Sequence, residues 1–248
     1  MKYVEKQELM RKQKSKTVMQ HIRQYAVTDT LPVLFGYVPM GMAFGLLLES
    51  QGYGWYWATA MGVFIFAGAA QFLAVGLLAA HAGLLEVAVT TLLLNSRHVF
   101  YGLSMLARYR AKGMERFYLI FGLTDETYSL LSAQTRTFDN VAEQNRYQLW
   151  VTGLNHSYWV VGCTSGALLG TLASFNTRGL EFTLPALFLV LAIEQYKVTR
   201  KIFPFVIATI AATVSLTLFE TDNMLLISIS LTLCLLLGYR KKEVQSDA

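Results

Sequence analysis

The chain has 248 residues, 54% of them hydrophobic and 15% charged, and its mean hydropathy is +0.40. A soluble domain carries about 25% charged residues, so this balance excludes an ordinary water-soluble fold and points to a polytopic membrane protein. The net charge of +5 does not mark a nucleic-acid-binding face, because seven of the 21 basic residues precede residue 24 and most others fall in short gaps between apolar runs, the pattern that orients a membrane protein.

The apolar runs are continuous and lack period-2 alternation, so the spanning elements are helices and not the strands of a barrel. The expected fold class is all-α: a bundle of about 6–8 hydrophobic segments, some broken or re-entrant. Residues 30–238 form its transmembrane domain, between a basic tail at 1–29 and a polar tail at 239–248. Cys163 and Cys234 lie inside apolar runs without ligand spacing and read as packing residues. No metal or other cofactor is expected.

Residues 1–29 carry Lys2, Lys6, Arg11, Lys12, Lys14, Lys16 and Arg23. The positive-inside rule places them in the cytoplasm. No apolar core follows before Leu31, so this is not read as a signal peptide. It reads as a solvated, partly helical tail, with contact to anionic headgroups as a secondary role.

Residues 31–48 are the first apolar segment and contain Pro32, Pro39, Gly36, Gly41 and Gly45. Proline removes a backbone donor, so a kink covered by neighbours is expected around Tyr37 and Pro39. Gly41 and Gly45, four apart, allow close approach of another helix.

Residues 55–80 are the second segment, with Trp55, Tyr56 and Trp57 as an interfacial anchor. Its centre, Phe66-Ala67-Gly68-Ala69-Ala70-Gln71-Phe72, fits either a helix break lining a cavity or tight helix packing.

Residues 84–106 form the third segment, and Asn95-Ser96-Arg97-His98 sits in its middle. A full charge at the centre of a membrane helix costs ~2.5–3.5 kcal/mol on insertion scales. Arg97 there must be satisfied by protein or water, and its default reading is functional. On a continuous helix the arc from Arg97 through His98 to Asn95 covers about 160°, with Tyr101 nearest Arg97. Either the helix is enclosed on two sides or its winding changes here.

Arg108, Arg110, Lys112 and Arg116 make the next loop basic and therefore cytoplasmic. An even number of crossings must then separate it from the N-terminal tail, yet three apolar segments intervene. One of them is expected to be re-entrant or broken: residues 55–80, turning near Gly68, or the proline-bearing first segment.

Residues 117–133 carry Thr124-Asp125-Glu126. Two adjacent carboxylates in an apolar run either mark the start of a short helix, with Thr124 or Asp125 as N-cap, or compensate Arg97 and receive a proton. Residues 134–146 read as an exposed loop. Residues 147–170 are the next span, holding Asn155-His156 and a ladder of Gly162, Gly166 and Gly170 that signals helix packing. His156 reads first as a hydrogen-bonded core histidine. Residues 180–193, 202–219 and 224–237 complete the apolar segments. Thr30-Leu31-Pro32-Val33-Leu34-Phe35 recurs as Thr183-Leu184-Pro185-Ala186-Leu187-Phe188, weak support for an internal repeat.

Several of these blocks carry a resemblance. They are Gly36-Tyr37-Val38-Pro39 with Phe44-Gly45, Ala67-Gly68-Ala69-Ala70-Gln71-Phe72, Asn95-Ser96-Arg97-His98-Val99-Phe100-Tyr101-Gly102, Phe121-Gly122-Leu123-Thr124-Asp125-Glu126 and Leu184-Pro185-Ala186-Leu187-Phe188. In that order they resemble the AzlC family of bacterial inner-membrane permeases, the larger subunits of branched-chain amino-acid exporters. The resemblance implies a proton- or exchange-driven exporter of valine- or leucine-type amino acids and their toxic analogues. It also implies a small AzlD-type membrane partner. The last two spans match the family only in hydrophobicity, and the basic tail is longer than the family leads one to expect.

For such a transporter the candidate cavity residues are Tyr37, Pro39, Gly68, Gln71, Asn95, Arg97, His98 and Tyr101. The candidates for proton coupling or an ion pair are Asp125, Glu126 and His156, with His98 as a further intramembrane carrier. No G-x-x-x-x-G-K-S/T sequence is present for an ATP-driven pump. A membrane-embedded enzyme is the alternative class, but neither H-E-x-x-H nor G-x-S-x-G spacing supports it. A channel or scaffold subunit is the third.

Overall fold

In the computed structural model the described residues are 2–134, 136–138, 140–172, 189, 192–193, 196, 200, 202–218, 227–228 and 230–236; the side chains of residues 2–16 and of Arg97 lie outside the description. The elements are α1 (Lys2–Ser50), α2 (Trp55–Phe64), α3 (Gly68–Ala79), α4 (Leu84–Asn95), α5 (Arg97–Leu106), α6 (Gly113–Phe121), α7 (Asp125–Ser132), α8 (Val141–Leu172) and α9 (Phe203–Leu218). No strand occurs among the described residues. The repeat at residues 183–188 lies outside them, as does the segment at 180–193 except for residues 189 and 192–193.

The chain divides into two units. One comprises residues 1–75 and 95–181, the other residues 76–94 and 182–248. The second unit carries the end of α3, nearly all of α4, and α9, where Thr90, Ala211 and Ser215 are buried. The functional residues considered below belong to the first.

In the first unit, α1 runs without a break from the basic tail through the apolar segment, with Pro32 and Pro39 inside it. The expectation that this segment is the broken one is therefore corrected. Each proline deprives the carbonyl four residues earlier of its amide partner, yet the flanking turns hold the helix, because one face of α1 is locked against α8. Within Thr17–Ser50 an 18-residue window has a mean hydropathy of 1.8, and the helix is long enough to cross a membrane.

The lock is made by glycine. Gly41 and Gly45 meet Gly162, Cys163 and Ala167 backbone to backbone, and a Cβ on Gly162 would stand 2.7 Å from the Val38 carbonyl oxygen. The two glycine ladders are thus each other's partners. Contacts ascend together along both helices, Tyr37 against Trp159, Gly41 against Gly162 and Gly170 against Glu49, so α1 and α8 are parallel. Their N-terminal ends must then lie on the same side of the membrane. An exposed pair at that end agrees: Arg136 of the α7–α8 loop meets Asp29 at 2.9 Å, and Tyr147 donates to the same carboxylate at 2.7 Å. The bond to Asp29 makes the Arg136 guanidinium hold its proton more firmly than usual. The exposed loop is shorter than expected, since α8 already begins at Val141.

The second apolar segment is broken, as one of the two alternatives required. α2 ends at Phe64, Phe66 takes φ +44°, and α3 begins at Gly68. Along α2 the contacts descend α8, from Thr59 with Thr164 to Gly62 with Val160. After the turn, Gly68 and Gln71 touch Trp159 and Phe72 stacks edge-on to Phe44, so the chain climbs again. This is a re-entrant turn near Gly68. A non-glycine residue in the left-handed region is unfavourable; Phe66 is held there by burial between Tyr37, Phe121 and His156.

The third and fourth segments are also interrupted. Ser96 separates α4 from α5, and the Val99 amide donates to the Ser96 carbonyl three residues back, so the winding changes at the predicted place. Gly122-Leu123-Thr124 separates α6 from α7.

Two measurements test this arrangement. Replacing Gly166 by Val drives a side chain into the Met42 backbone and should lower the thermal midpoint in detergent or abolish folding, by ~1–3 kcal/mol or more, whereas Gly36→Ala, with nothing within 4 Å, should be neutral. In a variant lacking Cys163 and Cys234, Gln20→Cys and Asn140→Cys should be labelled by an impermeant maleimide from the same side of the membrane.

Candidate functional site

Thr124 caps α7. It sits in extended conformation, and its hydroxyl accepts from the Thr127 amide at 3.2 Å, as a helix N-cap does. The cap aims the first turn of α7 at α1. There the Tyr37 hydroxyl donates to Glu126 Oε2 at 2.5 Å and lies 2.7 Å from Thr124 Oγ1. Thr124 Oγ1 in turn donates to Thr127 Oγ1 at 3.1 Å, and Asn155 Nδ2 of α8 donates to the same Thr127 oxygen at 3.0 Å. A continuous polar line therefore runs Glu126–Tyr37–Thr124–Thr127–Asn155 across three helices. All but Glu126 are buried. A buried hydroxyl without a partner costs ~1–3 kcal/mol, so this line fixes α7 against α1 and α8.

Glu126 opens onto a cavity of about 340 Å³ between α1 and α7, lined also by Pro32, Val33, Gly36, Tyr37, Met40, Ser129 and Leu130. Its wall is mostly aliphatic, with one carboxylate and two hydroxyls. Small-molecule sites occupy ~300–1,000 Å³ and combine apolar walls with a few polar groups, so this cavity suits a small ligand. A carboxylate beside aliphatic side chains is the chemistry that holds a primary ammonium with an alkyl group.

Tyr37 is also the centre of an aromatic cluster. Its ring meets Trp159 at 5.4 Å and Phe66 at 6.4 Å, both edge-on. Trp159 Nε1 donates to Gln71 Oε1 at 2.8 Å, with Gln71 fully buried. Behind Phe66 stands His156, with ring centroids 4.4 Å apart. His156 Nε2 lies 3.3 Å from the Gly62 carbonyl, which only accepts, so Nε2 carries the proton; Nδ1 then accepts from the Tyr118 hydroxyl at 3.1 Å in the neutral ring. His156 thus has the hydrogen-bonded surroundings that its first reading gives it.

The remaining sequence candidates are placed as follows. Pro39 is exposed, and the proline on the cavity is Pro32. Gly68 opens α3, where a Cβ would press on Trp159 at 3.1 Å. His98 Nδ1 lies 3.2 Å from the Asn95 carbonyl, and its ring is edge-on to Tyr101. Tyr101 stacks on Tyr128 of α7 at 4.7 Å. Asp125 is half-buried at the head of α7. The Arg97 side chain lies outside the described residues. Sequence reading missed Thr127, Trp159, Thr152 and Gln148. The last three, with Asn155, lie on α8 at spacings of four, three and four and are all buried, a polar stripe on one helix face that the 3.6-residue period makes legible.

An all-helical chain with spanning hydropathy, broken helices and a polar interior defines an integral membrane protein. The profile of the AzlC protein family matches residues 32–173. An uncharacterized membrane protein of Helicobacter pylori is 42% identical over 88% of this chain and 94% of its own length. The branched-chain amino acid transport protein AzlC of Bacillus subtilis is 34% identical, over 79% of this chain and 77% of its own. The inner membrane protein YgaZ of Escherichia coli is 30% identical, over 81% and 84%. No solved structure matches the chain. The chain belongs to the AzlC family.

Trp159→Phe keeps the ring but removes the donor to buried Gln71. It should lower the thermal midpoint in detergent by an amount equivalent to ~1–3 kcal/mol, with no loss of membrane insertion.

Proposed function

We propose that this protein is a secondary transporter that exports branched-chain amino acids across the bacterial cytoplasmic membrane, coupled to protons and working with a small AzlD-type subunit. The family and the named Bacillus subtilis relative support the transport of this substrate class. The observation that carries the reading for this chain is the cavity between α1 and α7, where Glu126 faces Val33, Met40 and Leu130. The substrate ammonium pairs with Glu126, and its alkyl group rests on the aliphatic wall. Asn95, Arg97, His98 and Tyr101 belong to the route by this proposal, with Arg97 as a partner for the substrate carboxylate or for a carboxylate of α7.

Coupling follows from the hydroxyl line. When Glu126 is ionised, the Tyr37 hydroxyl donates to it, as observed. When Glu126 takes a proton it donates back, and Tyr37 turns its own proton to Thr124, 2.7 Å away. Protonation of Glu126 thus turns the Tyr37 hydroxyl from the carboxylate to Thr124, which already donates onward to Thr127, and removes the charge that holds the ammonium. Substrate and proton then compete for one carboxylate, which is what exchange of one for the other requires. The N-terminal ends of α1 and α8 are cytoplasmic by the excess of basic residues before residue 24.

Cells producing this chain with its small partner should hold less internal valine and leucine and tolerate toxic leucine analogues. Glu126→Gln should cut export about tenfold or more, since a hydrogen bond to a charged group contributes ~1.5–3 kcal/mol, while the protein still reaches the membrane. Unchanged pools on production of the wild-type pair would overturn the substrate assignment. Full export by Glu126→Gln would remove this carboxylate from it.

A further inference from the structure

A second cavity, of about 570 Å³, lies on another face of the α1–α8 pair and is lined by Met19, Arg146, Leu149, Trp150, Gly153, Leu154 and Ser157. None of these residues lines the substrate cavity. Arg146 and Trp150 are one helical turn apart on α8, and the Arg23 guanidinium of α1 lies over the Trp150 ring, 5.6 Å from its centre. One cation, Arg23, thus stands over the indole, and a second, Arg146, lines the groove one turn before it. Neither has a carboxylate partner among the described residues: Asp29 pairs with Arg136, and Glu143, one turn before Arg146, is engaged with Asn140 at 2.9 Å.

Depth decides what fits here. The groove starts in the first turns of α8, beside Met19 of α1 and next to Tyr147, which holds Asp29, and runs along α8 toward Ser157, into the apolar part of the helix. Tryptophan and arginine at the mouth are the residue types of the headgroup layer, and leucine and methionine below them face acyl chains. Basic pockets at the cytoplasmic end of spanning helices take anionic headgroups. A zwitterionic lipid would bring its own cation against Arg23 and Arg146.

We propose that this groove is a binding site for an anionic phospholipid of the cytoplasmic leaflet, its phosphate held between Arg23 and Arg146 and one acyl chain laid over Leu149, Trp150 and Leu154. The lipid bridges α1 and α8 next to the cytoplasmic end of the spanning pair. The site does not depend on the transport reading, so the two stand or fall separately.

Native mass spectrometry of the full chain in detergent tests this, with phosphatidylglycerol and phosphatidylcholine of identical acyl chains added in equal amounts. The expected result is retained phosphatidylglycerol in preference to phosphatidylcholine, reduced on the order of tenfold in the double variant Arg23→Gln/Arg146→Gln. The control Lys112→Gln/Arg116→Gln, in the other basic loop, should retain lipid as the wild type does. Equal retention of the two lipids overturns the proposal. So does an equal loss in the control pair, which would mean diffuse charge attraction. Wild-type retention by the Arg23/Arg146 variant also overturns it, as does a co-purifying polypeptide that occupies the groove and is lost with Trp150→Ala.

Discussion

The backbone contact between α1 and α8 is the constraint on which the first unit rests. A helix pair without side chains at Gly41, Gly45, Gly162 and Gly166 approaches close enough for carbonyls and Cα atoms to touch. Within a membrane the hydrophobic effect does not drive helices together, and close packing of small residues takes its place. That contact makes the two helices parallel and sets Tyr37 beside Trp159 and Asn155 beside the head of α7. The re-entrant turn at Phe66 is then filled from both sides by rings that this contact has already placed.

Two of the breaks in the other segments, at Phe66 and at Gly122–Thr124, follow one rule. Unpaired backbone groups are tolerated at membrane depth only where protein or a water-filled cavity covers them. Phe66 is buried among aromatic rings, and Gly122 and Thr124 are buried beside Thr152 and Tyr37. A polar group follows each of these two: buried Gln71 after the first, and Glu126, on the cavity between α1 and α7, after the other.

The two cavities of the first unit differ in chemistry. One has a carboxylate and hydroxyls beside an aliphatic wall; the other has the Arg146 guanidinium and an indole beside leucines. A cationic group with a short alkyl chain fits the first, and an anionic group with a long one fits the second. The sign of the charge at each mouth and the length of apolar surface behind it make the difference.

Much of the local structure was legible beforehand. The charge deficit and long apolar runs required spanning helices, the small residues around Gly68 allowed a turn, Thr124 preceding two acids marked a helix start, and the glycine ladders announced close packing. All of these are properties of neighbouring residues, set by hydropathy, propensity and period. Which ladder meets which, which of two segments breaks, and that Tyr37 hydrogen-bonds to Glu126 across 89 positions were decided only by tertiary structure. Prolines at 32 and 39 pointed to the wrong segment, because the cost of a missing amide depends on what packs beside it, and that partner lies more than a hundred residues away.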